Sequence, residues 1–223
     1  KVNGISSIED KVSAVRKQLE EIRKKAMKLA EEISKSREKN LLPMQKEISS
    51  ILSQLAMPHA ELKIELKNNG GLTATGIDSV QFLFKANKGG EFKELSKVAS
   101  GGEYARLMLA LKSIVASKKT LPTIIFDEID TGVSGEVAHK MGNIMQQMGK
   151  TMQVFVITHL PQVAVKGNSH YKVYKQTTKS NTITSIEKLD QKSRVEEIAK
   201  MLSGDKMTDA AIANAKELMK EKT

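Results

Sequence analysis

"VASGGEYARLMLALKSIV" (residues 98–115), followed by "TIIFDEID" (residues 123–130), holds the two features on which the fold turns. In the first, Ser100, Gly101 and Gly102 stand at the mouth of an apolar-periodic helix. In the second, an apolar run closes on two adjacent carboxylates, Asp127 and Glu128. The spacing predicts a helix over about 102–117, a strand over "PTIIFDE", a helix over about 134–148 and a second apolar strand, "MQVFVITH". Short strands that are apolar on both faces and separated by helices predict a largely parallel sheet covered on both sides, an α/β architecture.

In such sheets ligands gather beyond the carboxyl ends of the strands. Asp127 falls at one strand end, where a carboxylate can hold Mg²⁺ through water, and Glu128 beside it can polarise an attacking water. The other strand ends in Thr158 and His159, where an imidazole could reach a γ-phosphate or that water. A strand end capped by solvated acids is the plainer alternative. At the helix mouth, free N–H groups and the helix dipole face outward towards an anion. Gly101 and Gly102 let a phosphate approach the backbone, and the Ser100 hydroxyl adds a donor. Without a ligand the same residues make an ordinary helix cap. His59, His139 and His170 have no comparable setting and read as structural or surface residues. The pattern G-x-x-x-x-G-K-[ST] occurs nowhere, so the phosphate cradle and its lysine are expected from another polypeptide segment.

Upstream, Ile5, Ile8, Val12, Val15, Leu19, Ile22, Ala26, Leu29 and Ile33 alternate spacings of three and four, the seam of a coiled coil. So narrow a stripe needs a second helix, and no other segment offers a matching run. The seam fades at Ser36 and Asn40, and Pro43 is expected to start a new helix carrying Met44, Ile48, Ile51, Leu52 and Leu55. Residues 1–42 are thus expected to form a coiled-coil arm and residues 43–223 a globular lobe. From Ala60 the period changes to two: Leu62, Ile64 and Leu66, a turn at "NNGG" (68–71), then Val80, Phe82 and Phe84. These predict antiparallel strands with one wet face. Two more strands, "HYKVYKQ" and "TITSIEKL", precede helices near 191–202 and 208–220.

The chain has 223 residues, 39% of them hydrophobic and 28% charged, enough to bury a core. There are no cysteines, which excludes disulfides and thiolate metal sites and fits a reducing cytosol. No apolar run reaches the length of a membrane span, and the N-terminus does not read as a signal peptide. It begins on Lys1, so a fragment of a longer protein is expected. The net charge of +10 favours a polyanionic partner.

"LSKVASGGEYARLMLALK" resembles the signature motif of the ABC ATPase superfamily in its SMC-like form. "TIIFDEID" resembles the Walker B strand, "DTGVSG" (130–135) the D-loop and "THLPQVA" (158–164) the switch-histidine loop. With "MPHAELKIEL", "GIDSVQFLFKAN" and "RVEEIAKMLSG", the set is similar to the RecN family of bacterial double-strand-break repair ATPases. The resemblance runs from the arm almost to the C-terminus. It implies the returning arm of a coil and the C-terminal lobe of an ATPase head, with the Walker A half elsewhere in the protein. By position, Asp127 would support Mg²⁺, Glu128 would be the catalytic base and His159 would sense the γ-phosphate. Ser100, Gly101, Gly102 and Glu103 would meet ATP bound to an opposing head; Asp130, Thr131 and Gly132 would belong to the D-loop, with Asp130 coupling the two sites. The partners implied are the Walker A half, a second head and DNA of any sequence, with no membrane, in the bacterial cytoplasm at the nucleoid. This chain by itself would be inactive. Another SMC-like or ABC-type head stands close to this reading, and a non-catalytic coiled-coil scaffold is the rival from a different class.

Overall fold

The computed structural model describes residues 2–98, 101–119, 121–133, 135–177, 181–204 and 207–220, with side-chain exposure from residue 11 onward. The elements run in the order α1 (Val2–Gln54), β1 (Glu61–Thr73), β2 (Gly76–Lys85), β3 (Lys93–Glu94), a 3₁₀ turn (Leu95–Lys97) and α2 (Gly101–Lys118). They continue with β4 (Thr123–Asp127), α3 (Gly135–Met148), β5 (Gln153–Ile157), α4 (Pro161–Ala164), β6 (Tyr171–Thr177), β7 (Thr182–Lys188), α5 (Gln191–Ser203) and α6 (Asp209–Lys220). No described helix is long and apolar enough to cross a membrane. Two compact units result: residues 1–49 with 59–98, and residues 50–58 with 99–223. Residue 42, the expected boundary, lies within α1.

In the first unit, α1 continues straight through Pro43, against the expectation of a new helix there. Proline removes one N–H and so strands the carbonyl four residues back, at Lys39. Lys39 is exposed, so water can serve that carbonyl. The seam residues Val15, Leu19, Ile22 and Leu29 are exposed, as an unpartnered coil requires. A different stripe of the same helix is fixed to the β-ribbon. Ser34 Oγ donates to Asp78 Oδ1 at 2.9 Å, Arg37 pairs with Asp78 Oδ2 at 3.1 Å, and Arg37 also donates to Thr75 O at 2.7 Å. Gln45 Oε1 accepts from Ile64 N at 2.7 Å.

β1 and β2 pair antiparallel, with Leu62 opposite Phe84 and Ile64 opposite Phe82. The alternation predicted one wet face, and Leu62, Ile64 and Phe84 are buried while Glu61 and Lys63 are exposed. "NNGG" is not the turn. The register steps from Asn68↔Asp78 to Thr73↔Gly76, so these residues form an enlarged bulge inside β1. Gly70, at φ +70°, donates its N–H to Asn68 Oδ1 at 2.8 Å, a local bond that favours leaving the ladder. The turn itself closes at Ala74–Thr75, where Thr73 Oγ1 donates to Gly76 O at 2.6 Å.

In the second unit, α2 and α3 build the core with β4. Leu109, Phe126, Ala138, Met141, Met145 and Val163 are buried together with Leu55. β4 and β5 pair in parallel, whereas β6 and β7 pair antiparallel. Parallel pairing among the described residues is therefore confined to one strand pair. That pair is covered on one face. Phe126 is 1% exposed, yet Ile125 is 60% and Ile157 53% exposed on the same strands. The cover predicted for the second face is not supplied by the described residues. A smaller core joins α5 to α6 through Ile198, Ala199, Ala211 and Ala215, with Val165. Arg194 is buried, and its guanidinium donates to the carbonyls of Ala164, Val165 and Gly167 at 3.2, 2.9 and 2.7 Å.

Candidate active site

Parallel pairing in register places Asp127 opposite Ile157, so both strands end at one level. Beyond that level Glu128 follows one strand, and Thr158 and His159 follow the other. Glu128 N extends the ladder by one bond, donating to Ile157 O at 3.1 Å. Its backbone then enters the left-handed region at φ 47°, which a side chain with a Cβ seldom adopts. Two bonds to its carbonyl hold it there, from Thr131 N at 3.1 Å and Thr131 Oγ1 at 2.8 Å. Asp127 and Glu128 are both exposed. The chain thus reverses at once after the strand, with local strain restrained by its own turn.

No group of three or more His, Cys, Asp or Glu among the described residues could hold a metal by itself. A Mg²⁺ site does not need one, because this ion keeps several waters and binds through one or two carboxylates plus substrate phosphates. The exposed Asp127 carboxylate at a strand tip fits that requirement.

At the mouth of α2 the two glycines differ. A Cβ on Gly101 would meet no atom within 4 Å, so its surroundings are open to a ligand. A Cβ on Gly102 would lie 2.7 Å from the carbonyl oxygen of Gly132. Gly102 is therefore required by close backbone packing against the turn after β4, whereas the space beside Gly101 is open. Gly132 itself has φ +75°. Arg106 fixes the same turn of helix, donating to Gly102 O at 3.1 Å and to Leu55 O at 3.2 Å. Glu103 lies in the first turn of α2 and is partly buried, and Ser100 lies outside the described residues.

Asp130 is wholly buried, whereas Thr131 and Gly132 after it are exposed. One carboxylate oxygen, Oδ2, accepts a hydrogen bond from Thr158 Oγ1. Thr158 Oγ1 in turn accepts from Leu160 N at 3.0 Å. The other oxygen, Oδ1, has no hydrogen-bond partner among the described residues and stands 3.8 Å from His159 Nδ1. Of the remaining histidines, His59 is exposed and His139 partly buried. His170 is held below the usual imidazole range by burial, helped by the nearby Arg194 charge.

No protein-family model matches the chain. It is 38% identical over 212 residues to the DNA repair protein RecN of Vibrio cholerae, covering 95% of this chain and 38% of that protein. To the DNA repair protein RecN of Rickettsia prowazekii it is 41% identical over 192 residues, covering 86% of this chain and 35% of that one. The chain belongs to the RecN family. It spans little more than a third of the length of these curated relatives. Its fold is similar to part of a solved Smc structure: the Smc head domain with a coiled coil and joint from Pyrococcus yayanosii superposes with a TM-score of 0.60 at 18% identity. That match covers 86% of this chain and 36% of the other.

In this RecN-family chain, sequence reasoning placed Asp127, Glu128 and His159 at strand ends, where they lie, but missed what holds them. Arg106 gave no signal, and Gly132 was read as a D-loop residue without its packing on Gly102, because a guanidinium capping two carbonyls and a glycine facing another glycine are tertiary facts. Thr158 was legible as the residue before a histidine, though its bond to Asp130 was not.

Proposed function

We propose that this chain is the C-terminal lobe and proximal coil arm of a RecN-type, SMC-like ATPase that acts in recombinational repair of DNA double-strand breaks. The observation that carries the proposal is the paired strand ending: Asp127 and a left-handed Glu128 on one strand, Thr158 and His159 on its parallel neighbour. RecN relatives named as DNA repair proteins, matched over most of the chain, support it.

In this reading ATP binds a Walker A loop supplied by the N-terminal half of the same protein. Asp127 would hold Mg²⁺, usually through water, and the ion would neutralise charge on the phosphate oxygens. Glu128 takes a proton from the attacking water, and His159 contacts the γ-phosphate side of the site. Two heads form a homodimer around two nucleotides, with Ser100, Gly101, Gly102 and Glu103 of each facing the ATP of the other. Thr131 and Gly132 are the D-loop residues with access to an opposing head, while Asp130 acts from behind them. Closing the dimer orders the donors, and hydrolysis releases it. The +10 charge fits contact with DNA phosphates irrespective of sequence, in the bacterial cytoplasm at the nucleoid.

The test is to rejoin the chain to its N-terminal half and measure ATP turnover. Wild type should turn over, while Glu128→Gln should still bind ATP but lose roughly 10²–10⁴ in rate. That variant should also persist as a head dimer in gel filtration with ATP. Undiminished turnover in the variant would remove Glu128 from its role, and turnover by this chain alone would refute the need for a second half.

A further inference from the structure

Asp130 is a carboxylate with no access to solvent, and among the described residues only half of it is satisfied. A buried charge is tolerated when its lone pairs are engaged, so an idle Oδ1 asks for a donor. The arrangement shows which one. Thr158 has a single hydroxyl hydrogen, and it is given to Asp130 Oδ2, while Thr158 Oγ1 itself accepts from Leu160 N–H at 3.0 Å. These two bonds tie the 158–160 segment to Asp130 and set His159 between them. Its Nδ1 is 3.8 Å from the idle Oδ1, about 1 Å beyond a hydrogen bond, and its ring is 64% exposed. A small rotation of the imidazole closes the gap.

We propose that Asp130 is the positioning residue of His159: its carboxylate, anchored by Thr158, accepts the Nδ1 hydrogen and leaves Nε2 as the outward-facing nitrogen. A histidine whose one nitrogen is committed to an acceptor has its tautomer and ring orientation fixed. A D-loop residue thereby acts on the switch histidine of its own lobe. The placement of the proton concerns this chain alone. Its consequence for ATP hydrolysis rests on the function proposed above.

The deciding measurement is the ¹⁵N shifts of the His159 ring in this chain near pH 8, where an ordinary imidazole is neutral. Histidine-labelled protein is used, with His159→Gln to assign the signals. The Nδ1–H tautomer is expected. In Asp130→Asn, the amide oxygen stays on the Thr158 hydroxyl, so the amide NH₂ faces Nδ1 and the tautomer should switch to Nε2–H. A purely structural Asp130 would change the melting temperature and leave the tautomer alone. An Nε2–H tautomer in wild type overturns the proposal even if the variant fails to fold, and so does an unchanged tautomer in a folded Asp130→Asn.

The rejoined protein provides a separate arm. There Asp130→Asn should lower kcat roughly 10- to 100-fold, as loss of an orienting partner does, with KM for ATP moving much less. Absence of turnover in rejoined wild type would count against the functional reading while the tautomer still decided this one. Normal turnover in Asp130→Asn would overturn the positioning role and leave the functional reading intact.

Discussion

The β1–β2 ribbon and the β4–β5 pair are both sheets in this chain, and they are finished to different degrees. The ribbon buries Leu62, Ile64 and Phe84 on one face. Its other face, Leu83 apart, is polar and self-satisfied: Lys63 pairs with Glu65 at 2.7 Å, Lys67 donates to Gln81 at 2.9 Å, and Gln81 donates to Glu94 at 2.9 Å. The β4–β5 pair is apolar on both faces but buries only one, leaving Ile125, Phe155 and Ile157 bare. Alternation thus marks a sheet that one side can complete, and a continuous apolar run marks one that needs cover on two.

The sharpest way to break this contrast is within the incomplete pair. Phe126→Ala should cost about 3–5 kcal/mol, the usual loss for a buried aromatic ring, while Phe155→Ala, at 46% exposure, should cost less than about 1 kcal/mol. Urea unfolding of this chain measures both. In the rejoined protein Phe155→Ala should become markedly more costly. Equal costs for the two rings in this chain would mean that the bare face is already covered.

A smaller effect separates the two glycines beside that pair. Gly102→Ala forces a methyl against the Gly132 carbonyl and should cost about 1–3 kcal/mol, whereas Gly101→Ala meets nothing and should stay within about 0.5 kcal/mol. Thermal melts of both variants are enough. If Gly101→Ala is the more damaging to stability, the assignment of the helix mouth is wrong.

On the finished ribbon, the vulnerable point is polar. Asp78→Ala strips Ser34 and Arg37 of their shared acceptor and should cost about 1–3 kcal/mol. Ile22→Lys, on the bare coil seam, should leave the stability of this chain nearly unchanged. Chemical denaturation followed by circular dichroism would show whether the two differ as stated.

The least effect concerns His170, beyond the β4–β5 pair. Burial depresses its pKa, so the folded state holds fewer protons than the unfolded one. Its contribution is complete above the unfolded value near 6.5 and is lost as pH falls through the lower folded value. Urea midpoints taken from pH 8 to pH 5 should fall less steeply in His170→Gln than in wild type. An identical slope would remove His170 from the acid response.

The sequence by itself determined the order and kind of the main elements, the exposed coil seam, and the carboxylates and histidine at the strand ends. These are periodicities and local chemistry, written along the chain in residues that are near neighbours. Helix α2 fell at Gly101–Lys118 and α3 at Gly135–Met148, each within a residue or so of its apolar pattern. Local signals also misled. "NNGG" has every turn residue yet folds as a bulge, because the register of β1 on β2 is set by the buried Leu62 and Ile64 and not by the tightest local bend. Pro43 has every mark of a helix start yet lies inside α1, because the one carbonyl it strands belongs to an exposed residue and can be left to water. Only the tertiary structure decided which glycine is free and which is packed, that Asp130 is turned inward on Thr158, and that one face of β4–β5 is left open. Each of these is a contact, or a missing contact, between segments far apart in sequence, and no periodicity encodes how close two backbones come.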